Sequence, residues 1–238
     1  MEMKEKQKHN LLRGSNQGFT LVELMIAMVV SLLALAAIYS TFQAQHRSYQ
    51  VQSETADMQQ NIRTAIYYMQ REIRMAGSNP FSTISIPAFG ITAAGASSIT
   101  FTEDVRGAAA GVPPVPGPPD GDVTDPDENI TYSLNGTDLQ RTDNVTGVSQ
   151  TVAQNIDWLD FVYFDVNSNA IPFPVANLSQ IRSVQITIVA RTKNKLLYGS
   201  KNNKVYSNPQ NTASWNAPGD NVSRRILTTT IKCRNLGI

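Results

Sequence analysis

The sequence predicts an α+β fold: one long N-terminal α-helix, apolar in its first half and amphipathic in its second, packed on a mainly antiparallel β-sheet head. Three observations point there. Residues 24–39 are the densest apolar block of the chain. No glycine or proline interrupts the stretch from Phe19 to Ala76. Beyond residue 81, short alternating runs bounded by turn residues replace the helical pattern.

The first element begins after a polar leader, residues 1–18, in which Lys4, Lys6, Lys8 and Arg13 outweigh Glu2 and Glu5. An apolar run follows at once. About 20 apolar residues cross a bilayer core, and Phe19 to Tyr39 supplies 21, with Thr20, Glu23 and Ser31 as its polar members. An ordinary secretory signal is cut after its apolar stretch, at a small-residue site. No such site follows here, so the run is expected to stay in the protein as a membrane anchor. The basic leader then faces the cytoplasm and the C-terminal part crosses the membrane.

The pattern next turns amphipathic. Met58, Ile62, Ile66, Met69 and Ile73 recur at helical spacing, with Gln59, Arg63, Gln70 and Arg71 between them. Gly77 and Pro80 form a stop signal. The stripe reads as domain core rather than a partner groove, and His46 reads as solvated.

The remainder is read as strands. "ITYSLNGTDLQRT" predicts a hairpin with a type I′ turn at Asn135-Gly136. "WLDFVYFD" (158–165) is aromatic and strand-like. "RSVQITIVART" (182–192) places Val184, Ile186, Ile188 and Ala190 on one face, and "RRILTTTIKCRN" (224–235) places Leu227, Ile231 and Cys233 together. The predicted organisation is therefore leader 1–18, apolar helix 19–45, amphipathic half 46–77 and β-rich head 78–238, with an irregular loop at 107–129.

That loop, "GAAAGVPPVPGPPDGDVTDPDEN", is Pro/Gly-rich and then acidic. A mobile solvated loop is the plain reading. Asp120, Asp122, Asp125 and Asp127 are calcium candidates, because hard cations take clustered carboxylates, although the spacing is not that of an EF-hand. "RTKNKLLYGSKNNK" (191–204) sets Lys193, Lys195 and Lys201 near Tyr198. A charged hairpin tip explains it better than a nucleic-acid grip. The formal charge of +1 gives nucleic acid no bulk support as a partner.

No catalytic constellation is legible. The two histidines are His9 in the leader and His46 on the helix, and Cys233 is the single cysteine. No GxSxG, HExxH, CxxC or phosphate-loop string occurs. Neither an enzyme nor a cofactor is expected.

"GFTLVELMIAM" (18–28) resembles the processing and assembly motif of type IV pilins and type II secretion pseudopilins. The resemblance implies that Gly18 ends a cleaved leader, Phe19 becomes an N-methylated N-terminus, and Glu23 acts in assembly, with 19–45 as the filament-core helix. "QREIRMAGSNP" and the closing "ILTTTIKCRNLGI" look like PilW-type minor pilins. That family implies a subunit that initiates or caps a pilus. Its partners would be other minor and major pilins, a prepilin peptidase and N-methyltransferase, and an inner-membrane assembly platform. The head would be periplasmic before it reaches the fibre or its tip. A J-type pseudopilin shares the architecture. A signal-anchored periplasmic enzyme or binding protein is the alternative of another class.

Glu23 makes physical sense on the pilin reading. A carboxylate within a membrane helix costs roughly 2.5–3.5 kcal/mol on insertion scales. Cutting before Phe19 frees a cationic amine one helical turn away. A pair at about 4 Å is worth on the order of 4 kcal/mol at an effective dielectric of about 20, which offsets that cost. The amine of a neighbouring subunit could serve equally.

Overall fold

Helix α1 runs from Leu21 to Met75, and its ends are set by the residues that flank it. Thr20 precedes the first turn, and Arg74 lies in the last, where a cation complements the helix dipole. Gly77 terminates it at φ +83°, in the left-handed region that favours glycine. Its amide donates to the Thr102 carbonyl at 2.9 Å, which ties the helix end to the sheet. A Cβ there would press on the Asn235 carbonyl at 3.2 Å, and the positive φ strains any side chain at this position.

The computed structural model describes residues 18–80, 89–110, 115–195 and 201–236. Leader residues 1–17, with Lys4, Lys6, Lys8, His9 and Arg13, lie outside the described residues. So do residues 111–114 of the Pro/Gly-rich loop and Leu196, Leu197 and Tyr198. The chain divides into one unit ending at Gln50 and another starting at Val51, and α1 contributes to both.

In the first unit the helix buries almost nothing. Leu24, Ile26, Leu33 and Ile38 are each at least 58 % exposed. An 18-residue window of mean hydropathy 2.6 makes the helix long and apolar enough to cross a membrane.

In the second unit the stripe read from the sequence is core. Met58, Ile62, Ile66, Met69 and Ile73 are all buried, with Ala65 among them. They pack against two antiparallel sheets. One contains β1 (Gly90–Ala94), β2 (Ser98–Thr102), β5 (Asn129–Asn135), β6 (Asp138–Asp143) and β7 (Val148–Ala153), in that spatial order. The other has β9 (Ser183–Arg191) between β12 (Arg224–Lys232) and β8 (Ile156–Phe164). Two short hairpins, β3 (Gly107–Ala110) with β4 (Val115–Gly117) and β10 (Val205–Ser207) with β11 (Ser214–Asn216), complete the strands. Phe101, Ile130, Tyr132 and Leu139 of the first sheet and Leu159, Ile186, Ile188 and Ile231 of the second share one core with the helix.

Two local readings change. The β5–β6 hairpin pairs Asn135 with Asp138, so the turn residues are Gly136 and Thr137 rather than Asn135-Gly136. Gly136 has φ +62° and Thr137 is not among the positive-φ residues. A glycine in the first turn position is the type II′ pattern, and the pairing slides by one residue to put it there. Strand β9 is also buried on both faces, because Gln185, Thr187 and Val189 are covered as well. The cover includes the segment carrying Asn208, whose amide donates to Asp160 on the neighbouring strand at 2.9 Å.

Met69→Ala is expected to lower the stability of the head by ~2–5 kcal/mol, the usual cost of emptying a fully buried site. Met25→Ala, at an exposed position, should leave it unchanged. Urea denaturation of both variants in detergent, followed by near-ultraviolet circular dichroism, checks this.

Candidate functional site

The start of α1 is built by a short string. Gly18 is exposed, with nothing within 4 Å of where a Cβ would stand, and Phe19 is 89 % exposed. The junction between them is therefore open to an enzyme. Thr20 and Glu23 form a reciprocal capping box. The Thr20 amide donates to Glu23 Oε2 at 2.9 Å, and the Thr20 hydroxyl donates to the same oxygen at 2.8 Å. The Glu23 amide in turn donates to Thr20 Oγ1 at 3.2 Å. Oε1 has no hydrogen bond among the described residues. The carboxylate is thus held by one oxygen and presents the other. Its place in the first turn also puts negative charge at the positive end of the helix dipole. The signal is present in the sequence as T-x-x-E ahead of an apolar run, which pairs Glu23 with Thr20 as well as setting it one turn from Phe19.

Around this acid the helix is apolar on every side. Glu23 is the only charged residue from Phe19 to Gln45. Leu21, Val22, Leu24 and Met25 beside it are at least 58 % exposed. Such a surface fits a lipid or helix-packed environment, where a polar atom left bare is costly.

Residues 13–39 match the model of the prokaryotic N-terminal methylation motif. The chain carries that motif. It is pilin-like in this segment, and the motif points to a membrane-anchored structural subunit processed by a prepilin peptidase, not to an enzyme. Among solved structures it resembles a type IV-like pilin from Thermus thermophilus, with 11 % identity over 75 % of this chain and 97 % of that one, at a TM-score of 0.47. No curated protein matches it.

The head separates the other candidates. Asp120, Asp122 and Asp125 bring carboxylate oxygens within 4.8 Å of one another. Asp127 does not join them. It turns to Arg106 at 3.0 Å and to Arg141 at 2.9 Å, and its backbone sits at φ +69°. Lys193, Lys195 and Lys201 are exposed and form no described cluster. Neighbouring Arg191 faces Asp157 at 3.4 Å, and the Asn194 amide donates to Glu54 of the helix at 3.2 Å. His46 stacks on Phe42 with ring centroids 6.1 Å apart. Cys233 is buried, which pushes its thiol up to about 12 and leaves it unreactive.

A polar cluster that sequence reasoning missed joins helix to sheet. The Arg141 Nε on β6 donates to both oxygens of Glu72 on α1 at 3.0 Å, and the Tyr132 hydroxyl on β5 donates to Glu72 at 2.7 Å. Sixty-nine residues separate Glu72 from Arg141, so no local pattern announces the pair. Tyr68, Arg71, Glu72, Glu103, Asp127 and Arg141 line a cleft of about 440 Å³ beside it. Glu103 is 5 % exposed, and burial, followed by the charge of Glu72, raises its pKa to about 7.

Because the folded pKa lies above the ordinary carboxyl value, the native state holds a proton that the unfolded chain loses first. The contribution of Glu103 to stability is therefore greatest below about pH 4.5 and declines until about pH 7. The loss from this group is on the order of 3 kcal/mol. Glu103→Gln is expected to flatten that decline and to be more stable than the parent at pH 8, as measured by urea denaturation from pH 5 to 8.

Proposed function

We propose that the chain is a minor pilin, a subunit that helps to initiate or cap a type IV pilus. One observation carries the reading: an exposed Gly18–Phe19 junction heads an apolar helix whose lone charge, Glu23, sits one turn inside and is held by Thr20. Cleavage after Gly18 leaves Phe19 as the N-terminus, to be methylated on its amine. The amine, still cationic, pairs with the free Glu23 oxygen, either in the same subunit or across to a neighbour. Neighbouring 19–45 helices then pack their apolar faces around a neutralised pair. The head stands on the periplasmic side before assembly, and the inner-membrane platform and the other pilins are its partners.

Thr20 serves this scheme by fixing the carboxylate. An acid free to turn toward the headgroups would satisfy itself there and hold no axial stagger between helices. With one oxygen bound to the helix start, the other faces a position where a neighbour's amine completes the charge.

Glu23→Ala should be processed and inserted normally yet enter filaments at least about tenfold less, a loss of about 1.4 kcal/mol or more per contact. Immunoblots of sheared filaments against membranes read this directly. Undiminished incorporation would remove the assembly role. Deletion of the gene, scored for twitching and for protein secretion in parallel, separates a pilus subunit from a J-type pseudopilin.

A further inference from the structure

We propose that the cleft beside the Glu72–Arg141 pair docks an acidic side chain, aspartate or glutamate, presented by a partner protein, with Arg71 as its cation and Glu103 as its hydrogen-bond donor. The cleft, of about 440 Å³, is walled by α1, by the segment that follows β2 and by β6. Its cations are unequally engaged. Arg106 is held by Asp127 at 3.0 Å, and Arg141 by Asp127 at 2.9 Å and by Glu72 at 3.0 Å. Arg71 is exposed and has no ion pair or hydrogen bond among the described residues. While Glu103 keeps its proton, the arginines lining the cleft outnumber the ionised acids, and Arg71 is the cation left over.

Glu103 supplies the second observation. It is 5 % exposed, and its amide donates to the Glu128 carbonyl at 3.0 Å, but its carboxyl has no hydrogen bond or ion pair among the described residues. That carboxyl sits in the field of Glu72 and Arg71 on α1, Arg141 on β6 and Glu128 ahead of β5. With the first three it lines the cleft, so the unpartnered group faces that space. A buried polar group left without a partner is costly. An incoming carboxylate removes the cost, because the protonated acid donates its O–H to one oxygen and Arg71 makes a charge-assisted bond to the other. Burial, and then the charge of Glu72, raise the Glu103 pKa to about 7 and keep that proton in place below neutral pH.

The surroundings select the partner. Tyr68, Met75 and Val105 line the same cleft and are exposed, and Tyr67 meets Tyr68 edge-on with ring centroids 5.9 Å apart. Tyrosine, methionine and arginine are enriched at protein interfaces, and a small free acid would leave these side chains uncovered. Glu72 and Asp127 flank the spare guanidinium, so the cleft suits a single acid. A nucleic-acid backbone, with its closely spaced phosphates, would meet those two carboxylates as well. The site stands on the geometry of the head and holds for a pilus subunit and a pseudopilin alike.

The test is fluorescence anisotropy of the full-length protein in detergent, with a labelled peptide carrying adjacent aspartates and its asparagine version as the blank. The peptide carboxylates stay ionised from pH 6 to 8, so any pH dependence belongs to the protein. Affinity should fall about tenfold over that range as Glu103 loses its proton. Arg71→Ala should weaken binding at least about tenfold, the worth of one charge-assisted bond, and Arg63→Ala, exposed on the same helix, should bind as the parent does. Glu103→Gln, whose amide N–H replaces the O–H, should bind at pH 8 about as tightly as the parent at pH 6, a gain that a damaged fold cannot produce. Absence of binding up to about 1 mM, equal binding of the asparagine peptide, or affinity retained in Arg71→Ala would overturn the site. So would an unchanged pH slope in Glu103→Gln, displacement of the peptide by equimolar sodium acetate, or tighter binding of a short oligothymidylate.

Discussion

One acid in the otherwise uncharged apolar stretch from Phe19 to Gln45 governs the start of the helix. Glu23 is tolerable there because Thr20 satisfies one of its oxygens from the helix's own first turn and because the helix dipole favours negative charge at that end. The capping box lessens the electrostatic cost without cancelling the charge. A carboxylate so held still seeks a cation, and among the described residues no side chain beside it supplies one. On the proposed role the cation is made only by cutting before Phe19, so processing and assembly become linked through a single pairing. Membrane insertion needs the apolar run. Packing into a filament needs that run plus a neutralised pair at a fixed height.

The head meets a different constraint, that of fastening half of a helix to two sheets. Most of the attachment is the buried Met/Ile stripe, whose apolar contacts give adhesion without direction. Direction comes from the Glu72–Arg141–Tyr132 cluster, which allows one rotation of the helix against β5 and β6. A pair this buried adds little net stability when intact and costs much when one partner is removed. Glu103 beside it is the consequence of crowding a second acid into the same cleft, and burial together with Glu72 keeps it largely protonated below neutral pH.

What could be read from the sequence follows the range of the interactions. The helix, its end at Gly77 and its buried stripe were legible because spacing and turn chemistry are local. The strands at 156–164, 183–191 and 224–232 were legible for the same reason. The hairpin register was not, since Asn135-Gly136 and Gly136-Thr137 are both good turn pairs and cross-strand pairing decides between them. That Gln185 and Thr187 are covered was not legible, because a polar alternation looks the same whether water or a later segment lies over it. Arg141 and Glu72 gave no signal at all, since their partnership exists only after folding. In the acidic loop, composition grouped Asp127 with the other aspartates, and only the positions of Arg106 and Arg141 drew it away. The Thr20–Glu23 box is a local motif and so lies within reach of the sequence, but a lone acid in an apolar run points as readily to a cation as to a cap.

On the proposed role the first eighteen residues are removed so that Phe19 can offer its amine to Glu23. Intact-mass and N-terminal peptide mass spectrometry of the protein purified from membranes and from filaments tests it most directly. A chain beginning at Phe19 and carrying one added methyl group is expected. A mature chain that still begins at Met1 would contradict it and return the helix to the status of a plain anchor.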